Sequence, residues 1–384
     1  MSTQVIERTF IVDTEVVVIG LGSSGSMALW QLAKRGVRAV GIEQFGIGHA
    51  RGSYAGDSRL FRSAVHEGPR FVPMLARARE LWFELEAETG RHLYDECGAL
   101  QIGDEGSGGL LKSIQSAEQF DLPHEVLDAA ALRARYPQHR VDDTTMAVLD
   151  HRAGSLFPEA SVLAAVEAAK THGAQVLTNT EVIDFDEAGG RLKIVTDNET
   201  VTCDKVVVAT GSWTVKLRPD LKGFLSIIPL SLTWFMPRHP EMFGSDKFPV
   251  FIRDADGVHL YGTPSHDSYS IKVATEPLWP AIASPDDIPA FARADLRKIG
   301  GWATNFIPDL NAEPVRYSMH HELCTPGDLP LVDLDEDTGM LLLTAFSGRG
   351  FKFAPVYGQI AADLITGTPT DLYDPSFALS AQHR

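Results

Sequence analysis

Residues 15–43 constrain this chain more than any other stretch. Residues 16–19 are an apolar β-branched run of the kind buried in parallel sheets, and Gly20-Leu21-Gly22-Ser23-Ser24-Gly25 follows at once. A helix through Ala28, Leu29, Leu32 and Ala33 stops at Gly36, and residues 37–42 form a second strand ending at Glu43. The result is a βαβ unit with GxGxxG at its first turn. Gly20 permits the tight turn, Gly22 lets a pyrophosphate approach the backbone, and Gly25 lets the helix pack closely on the strand. Free N–H groups and the helix dipole then hold the phosphates. Glu43 would accept hydrogen bonds from the ribose hydroxyls of the ADP half. The motif by itself does not separate nicotinamide from flavin dinucleotides.

The rest of the chain favours a flavin. Residues 158–170 read as a helix, and 174–178 and 205–209 as strands, the latter running into a turn at Thr210-Gly211-Ser212-Trp213. Nucleotide-fold segments return near the C-terminus, with a strand at 340–344, a glycine-rich turn at 347–350 and a helix over 354–365. Between them, residues 224–276 are strand-rich with Pro and Gly punctuation, which predicts an antiparallel sheet. A long amphipathic helix carries Phe71, Leu75, Ala78, Trp82 and Leu85, with Glu80, Glu84, Glu86 and Glu88 as its solvated face. The expected fold is α/β. A Rossmann-like FAD-binding domain is drawn from residues 1–90, 155–222 and 325–384. An inserted catalytic domain, from 91–154 and 223–324, carries a mixed, mostly antiparallel sheet.

Composition removes several function classes. A formal net charge of −17 over 384 residues repels phosphate backbones and anionic lipid, so neither nucleic acid nor membrane is an expected partner. Cys97, Cys203 and Cys324 are far apart, which predicts no disulfide and suits a cytoplasmic protein. Residues 1–10 hold no apolar targeting core, and 380–384 no lipidation or peroxisomal signal. GxSxG, HExxH and P-loop patterns are missing, and the thirteen histidines have no ligand spacing, so no metal site is expected.

Two further stretches are more specific than the glycine fingerprint. Gly52-Ser53 precedes Gly56-Asp57-Ser58-Arg59-Leu60-Phe61-Arg62, and near the C-terminus stands Phe346-Ser347-Gly348-Arg349-Gly350-Phe351-Lys352-Phe353. With Glu67-Gly68, Phe71-Val72-Pro73, Tyr261-Gly262, Pro264-Ser265 and Lys272, they make the chain resemble the monomeric sarcosine oxidase and N-methyltryptophan oxidase family. These are D-amino-acid-oxidase-like flavoproteins, and the resemblance spans most of the chain in the family's order. It implies an FAD enzyme that oxidises the C–N bond of a small secondary or N-methyl amino acid, with oxygen as acceptor and peroxide as product. Arg59 would lie against the flavin ring, Arg62 and Lys352 would hold the substrate carboxylate, and Tyr261 would line the pocket. Lys272 would sit near flavin N5 and activate oxygen. Ser53, Ser58, Gly211, Trp213, His320, Gly348, Gly350 and Phe351 complete the cofactor contacts. The same residues would serve a dehydrogenase, or a tailoring enzyme acting on a cyclic imino acid or a primary amino acid. Elementary chemistry agrees on the main points. A carboxylate in an apolar pocket needs cationic, bidentate-capable partners, and a cation beside reduced flavin stabilises superoxide.

The chain also departs from the family. Where relatives attach FAD through a Cys a few residues before a Thr-Pro element, His320 stands here, and Cys324 lies roughly 13 Å further along an extended strand. Non-covalent FAD is therefore expected, with a histidyl or Cys324 link as the alternative. Glu276 replaces a pocket His usual in sarcosine oxidases, where it could pair a cationic amine or sit as an ordinary surface residue. Tyr54-Ala55 replaces histidines that some relatives carry near the flavin. A monomer or small homo-oligomer fits all of these readings.

Overall fold

The computed structural model describes residues 11–65, 67–188 and 190–382. The stretches read for targeting signals, 1–10 and the last two residues, lie outside them. Two large sheets organise the chain. The first runs Gln175–Thr178, Ala39–Glu43, Val16–Ile19, Lys205–Val208, Met340–Thr344, Leu331–Asp335, parallel except for the last pair. Its strands come from distant parts of the sequence, as the returning nucleotide-fold segments predict.

Alternation along the central strand explains the layers. Val16 and Val18 join a core formed with helices Ser23–Lys34, Pro158–Thr171, Phe71–Thr89 and Ala354–Thr366, while Val17 and Ile19 join another against a four-stranded sheet. That small sheet includes Val182–Ala188, Arg191–Thr196 and Thr200–Cys203. Burial on both faces is what a continuous β-branched run without polar alternation requires. The helix Phe71–Thr89 ends on Gly90, left-handed at φ 67. Its carboxylates are not simply a solvated face. Glu86 accepts from Leu93 N and Tyr94 N, and Glu88 accepts from Trp30 Nε1 at 3.0 Å and pairs with His172. Neighbours from distant segments recruited them, which helical spacing cannot foretell.

The second sheet has eight strands in the order Arg316–Cys324, Ser226–Phe235, Ile271–Thr275, Val258–Thr263, Val250–Ala255, Ala99–Asp104, Thr145–Asp150, His124–Leu127. One pair, Val250–Ala255 with Ala99–Asp104, is parallel and the rest are antiparallel. This is the mixed, mostly antiparallel sheet that the sequence led us to expect. One face carries Phe251, Leu260, Ile271 and Val273 into an aromatic-rich core with Phe243, Phe248 and helix Arg293–Phe306. The opposite face therefore presents Ile252, Tyr261 and Lys272, which line a cavity. Among the described residues, no helix is long and apolar enough to cross a membrane, and no group of His, Cys, Asp or Glu is arranged to hold a metal ion.

Candidate active site

Two cavities lie along the junction of the two sheets. The first opens at the C-terminal ends of the parallel strands, lined by Gly20, Gly22, Ser23, Ser24, Glu43, Ser53, Tyr54, Gly211 and Trp213 among others. The position matches the crevice where open α/β sheets bind dinucleotides. Gly20 has φ +86, and a Cβ on Gly25 would stand 1.8 Å from the Gly20 carbonyl oxygen, so neither tolerates a side chain. Gly25 thus acts from behind the cavity wall, by letting the helix close on the strand. Glu43 accepts from Leu21 N at 2.8 Å and Phe45 N at 3.0 Å. It is consequently fixed at the strand end with lone pairs to spare.

The second cavity, about 880 Å³, contains all six of the expected catalytic residues, Arg59, Arg62, Tyr261, Lys272, Glu276 and Lys352, with Gly348 and Phe351. Gly52–Tyr54 line the first cavity and Arg59 the second; likewise Phe346 lines the first and Ser347 the second. Each specific motif therefore runs from one cavity into the other, as an elongated cofactor bridging both would demand. A buried polar atom along this path fits such a molecule. Tyr54 Oη, in the wall of the first cavity, has no hydrogen-bond partner among the described residues.

The cations are held with care. Arg59 donates to the carbonyls of Ser58 (2.8 Å), Ser53 (2.8 Å) and Ala55 (2.7 Å), which clamps it across the loop that bears it. Lys272 Nζ donates to Gly56 O at 3.1 Å and to Ser58 O. Burial, reinforced by Arg59, pushes its ammonium well below the usual lysine range. The loop is anchored in turn by Glu159, from the first turn of a helix, which accepts from Gly56 N at 2.6 Å. Ser58 Oγ meets Thr263 Oγ1 at 2.9 Å, joining the loop to the eight-stranded sheet.

Arg62 and Lys352, 7% and 6% exposed, converge on one carboxylate. Glu67 Oε1 lies 3.2 Å from Arg62 Nη2 and accepts from Lys352 Nζ. Burial pushes Lys352 down to about 8, against the upward pull of Glu67. Asp150 fixes the backbone after Arg62 through Ser63 N at 2.7 Å and Ala64 N at 2.8 Å. Lys352 follows a strained turn in which Ala345 (φ 53), Ser347 (φ 51) and Gly348 (φ 74) are all left-handed. Gly350 lies in neither wall; its Cα packs on Phe346, leaving a Cβ only 2.5 Å from that side chain.

His320 and His321 point to opposite sides of their strand. His321 Nδ1 meets Ser212 Oγ at 2.8 Å and the ring stands edge-on to Trp213, while His320 Nε2 meets Ser318 Oγ at 2.9 Å. Burial pushes both rings down to about 4, so they are neutral at physiological pH. Neither lines a cavity. Glu276 stands exposed in the second cavity's wall. Sequence reasoning gave no role to Glu67, Asp150, Glu159 or Glu322. Only Glu67 stood within a stretch already singled out, and only Glu159 had a local signal, as the acidic first-turn residue of a helix.

Comparison with known proteins agrees with this geometry. A family model described as FAD dependent oxidoreductase (DAO) matches residues 15–364. Monomeric sarcosine oxidase of Streptomyces avermitilis is 34% identical over 372 residues, covering 94% of this chain and 97% of the relative. N-methyl-L-tryptophan oxidase of Yersinia pestis is 28% identical, covering 96% and 99%. Among solved structures, NikD, an unusual amino acid oxidase essential for nikkomycin biosynthesis, superposes with TM-score 0.83 at 22% identity, covering 96% of this chain and 97% of that one. L-proline dehydrogenase of P. horikoshii gives 0.83 at 23% over the same shares. These two likenesses speak to the fold. On the family match and the first relative, the chain belongs to the DAO family of FAD-dependent oxidoreductases.

Proposed function

We propose that the chain is an oxidase of small secondary or N-methyl amino acids, cleaving the C–N bond by way of an imine that water hydrolyses. The observation that carries the reading is the convergence of Arg62 and Lys352 on a single buried carboxylate at the wall of the second cavity. Two cations placed around one carboxylate of the protein are equally suited to the carboxylate of an amino acid. The bound flavin supplies the two-electron acceptor. The protein's own residues fix the acid end, orient the neutral amine with its α-carbon toward the ring, and exclude water behind Tyr261, Ile252 and Leu232. Oxygen is the proposed final acceptor, with hydrogen peroxide as product and Lys272 as its neighbour.

FAD is proposed to be held without a covalent bond. His320 occupies the attachment position and is engaged with Ser318, and burial pushes the Cys324 thiol up to about 12, far from a thiolate. A second reading, a dehydrogenase passing electrons to another acceptor, is favoured by one observation: burial and Arg59 both act against a cationic Lys272.

The test is oxygen uptake with peroxide detection across a panel of amino acids, for the wild type and for the Arg62→Met and Lys352→Met variants. The oxidase reading expects stoichiometric peroxide and a loss of about 10²-fold or more in kcat/KM in each variant. Turnover of carboxylated amines unaffected in both variants would refute the clamp, and turnover with an artificial acceptor but not oxygen would establish the dehydrogenase. Acid precipitation leaving the yellow colour in the pellet would refute non-covalent FAD.

A further inference from the structure

The charged groups of the second cavity divide into those the protein already engages and those it does not. Arg59 and Lys272 are held by backbone carbonyls, Arg349 by Asp328 at 3.1 Å and His259 by Asp254, while Arg62 and Lys352 each contact Glu67 and keep further donors. Glu276 and Glu322 remain, and among the described residues no hydrogen bond or ion pair engages either carboxylate. Glu276 is exposed. Glu322 is recessed, on strand Arg316–Cys324 opposite Ile228, with its carboxylate against Gly348. A Cβ at Gly348 would stand 2.7 Å from Glu322 Oε2, so the motif's glycine leaves room for this acid.

We propose that Glu322 is the amine-side recognition residue of the cavity, pairing with the ammonium group of an amino acid whose carboxylate lies at Arg62 and Lys352. This rests on the amino-acid reading of the site and deepens it. The substrate class becomes a zwitterion, recognised at both ends as it binds; one N–H proton is then given up to water so that the neutral amine is the species oxidised. Molecules with a neutral or anionic group in place of the amine are rejected. The chemistry favours it because a recessed carboxylate without a partner is unfavourable until a cation or donor reaches it. Burial pushes Glu322 up to about 7. The groups that face it are Arg59 from the Gly56–Arg59 loop, which pulls it down, Tyr261 from strand Val258–Thr263 of the same sheet, Asp328, which pushes it up, and Arg349, which pulls it down. An ammonium arriving beside it would add to the downward pull and favour the carboxylate.

The test uses the FAD-loaded enzyme and two ligands of one shape that differ in one charge: trimethylammonioacetate, a permanent cation without an N–H, and 3,3-dimethylbutanoate, its neutral-headed isostere. Binding is read by calorimetry and by perturbation of the visible spectrum. The wild type should prefer the cation by about tenfold at pH 8, and by less at pH 6, where Glu322 is largely protonated. In Glu322→Gln the preference should shrink to within about twofold at both pH values. Equal binding of the two ligands by the wild type overturns the proposal and leaves the carboxylate clamp standing. Binding of neither overturns both. A preference that survives in Glu322→Gln assigns recognition elsewhere, to Glu276, and also overturns it. The wild-type comparison needs no variant, so a misfolded Glu322→Gln does not remove the test.

Discussion

The two cavities are built from different materials. The nucleotide cradle is mostly backbone: strand ends, a helix N-terminus, and glycines whose missing side chains are the working feature. The second cavity is mostly side chains, contributed by residues 59–62 and Glu67, five strands of the large sheet and the turn before the last long helix. Backbone sites fail by steric collision, abruptly and together with folding. Side-chain sites fail one interaction at a time, with the fold intact.

The largest expected effect is on the cradle side. Gly25→Ala drives a methyl into the Gly20 carbonyl, where nothing can give way, and should destabilise the protein by about 3 kcal/mol or more. Thermal unfolding and the flavin-to-protein absorbance ratio measure this; a yellow protein with unchanged Tm would mean that the cradle is softer than its geometry.

A smaller effect separates the two regions by pH. Lys352 is cationic below about 8 and loses its charge as pH rises through that value. Affinity for a carboxylate ligand should therefore fall about five- to tenfold between pH 7 and 9 in the wild type and stay flat in Lys352→Met. Flavin affinity should not follow this curve; if it does, the two cavities are not independent in the sense argued.

The smallest effect belongs to the exposed rim. Glu276→Gln should change kcat/KM for a zwitterionic amino acid by less than about threefold, because solvent screens its charge. A larger loss would move the amine-side determinant from Glu322 to Glu276.

The same contrast explains what could be read from the sequence. Residues 15–43 announce the cradle because every requirement is local: an apolar strand, three glycines at fixed spacing, a helix and an acid at the next strand end. Arg62, Tyr261, Lys272 and Lys352 were found only through resemblance to a family, since an isolated Arg or Lys carries no positional signal. The structure adds a physical reason for Lys272: its neighbours Ile271 and Val273 face the aromatic core, so alternation turns it to the cavity. Glu67, Asp150 and Glu159 act through partners that chain connectivity does not place beside them. Glu322 was silent for a related reason, because a single acid in a strand usually faces water, and only the assembled cavity shows that this one does not.

Strand Arg316–Cys324 serves both regions at once. His321 turns to Ser212 and Trp213 at the cradle, while Glu322 and Cys324 line the second cavity. Inserting a single residue ahead of His320 would shift the strand by half a period and present imidazole where carboxylate belongs, and deleting one would present carboxylate to the tryptophan. Its length is thereby locked from two directions, and laboratory evolution of this protein should tolerate substitutions there far more readily than any change in spacing.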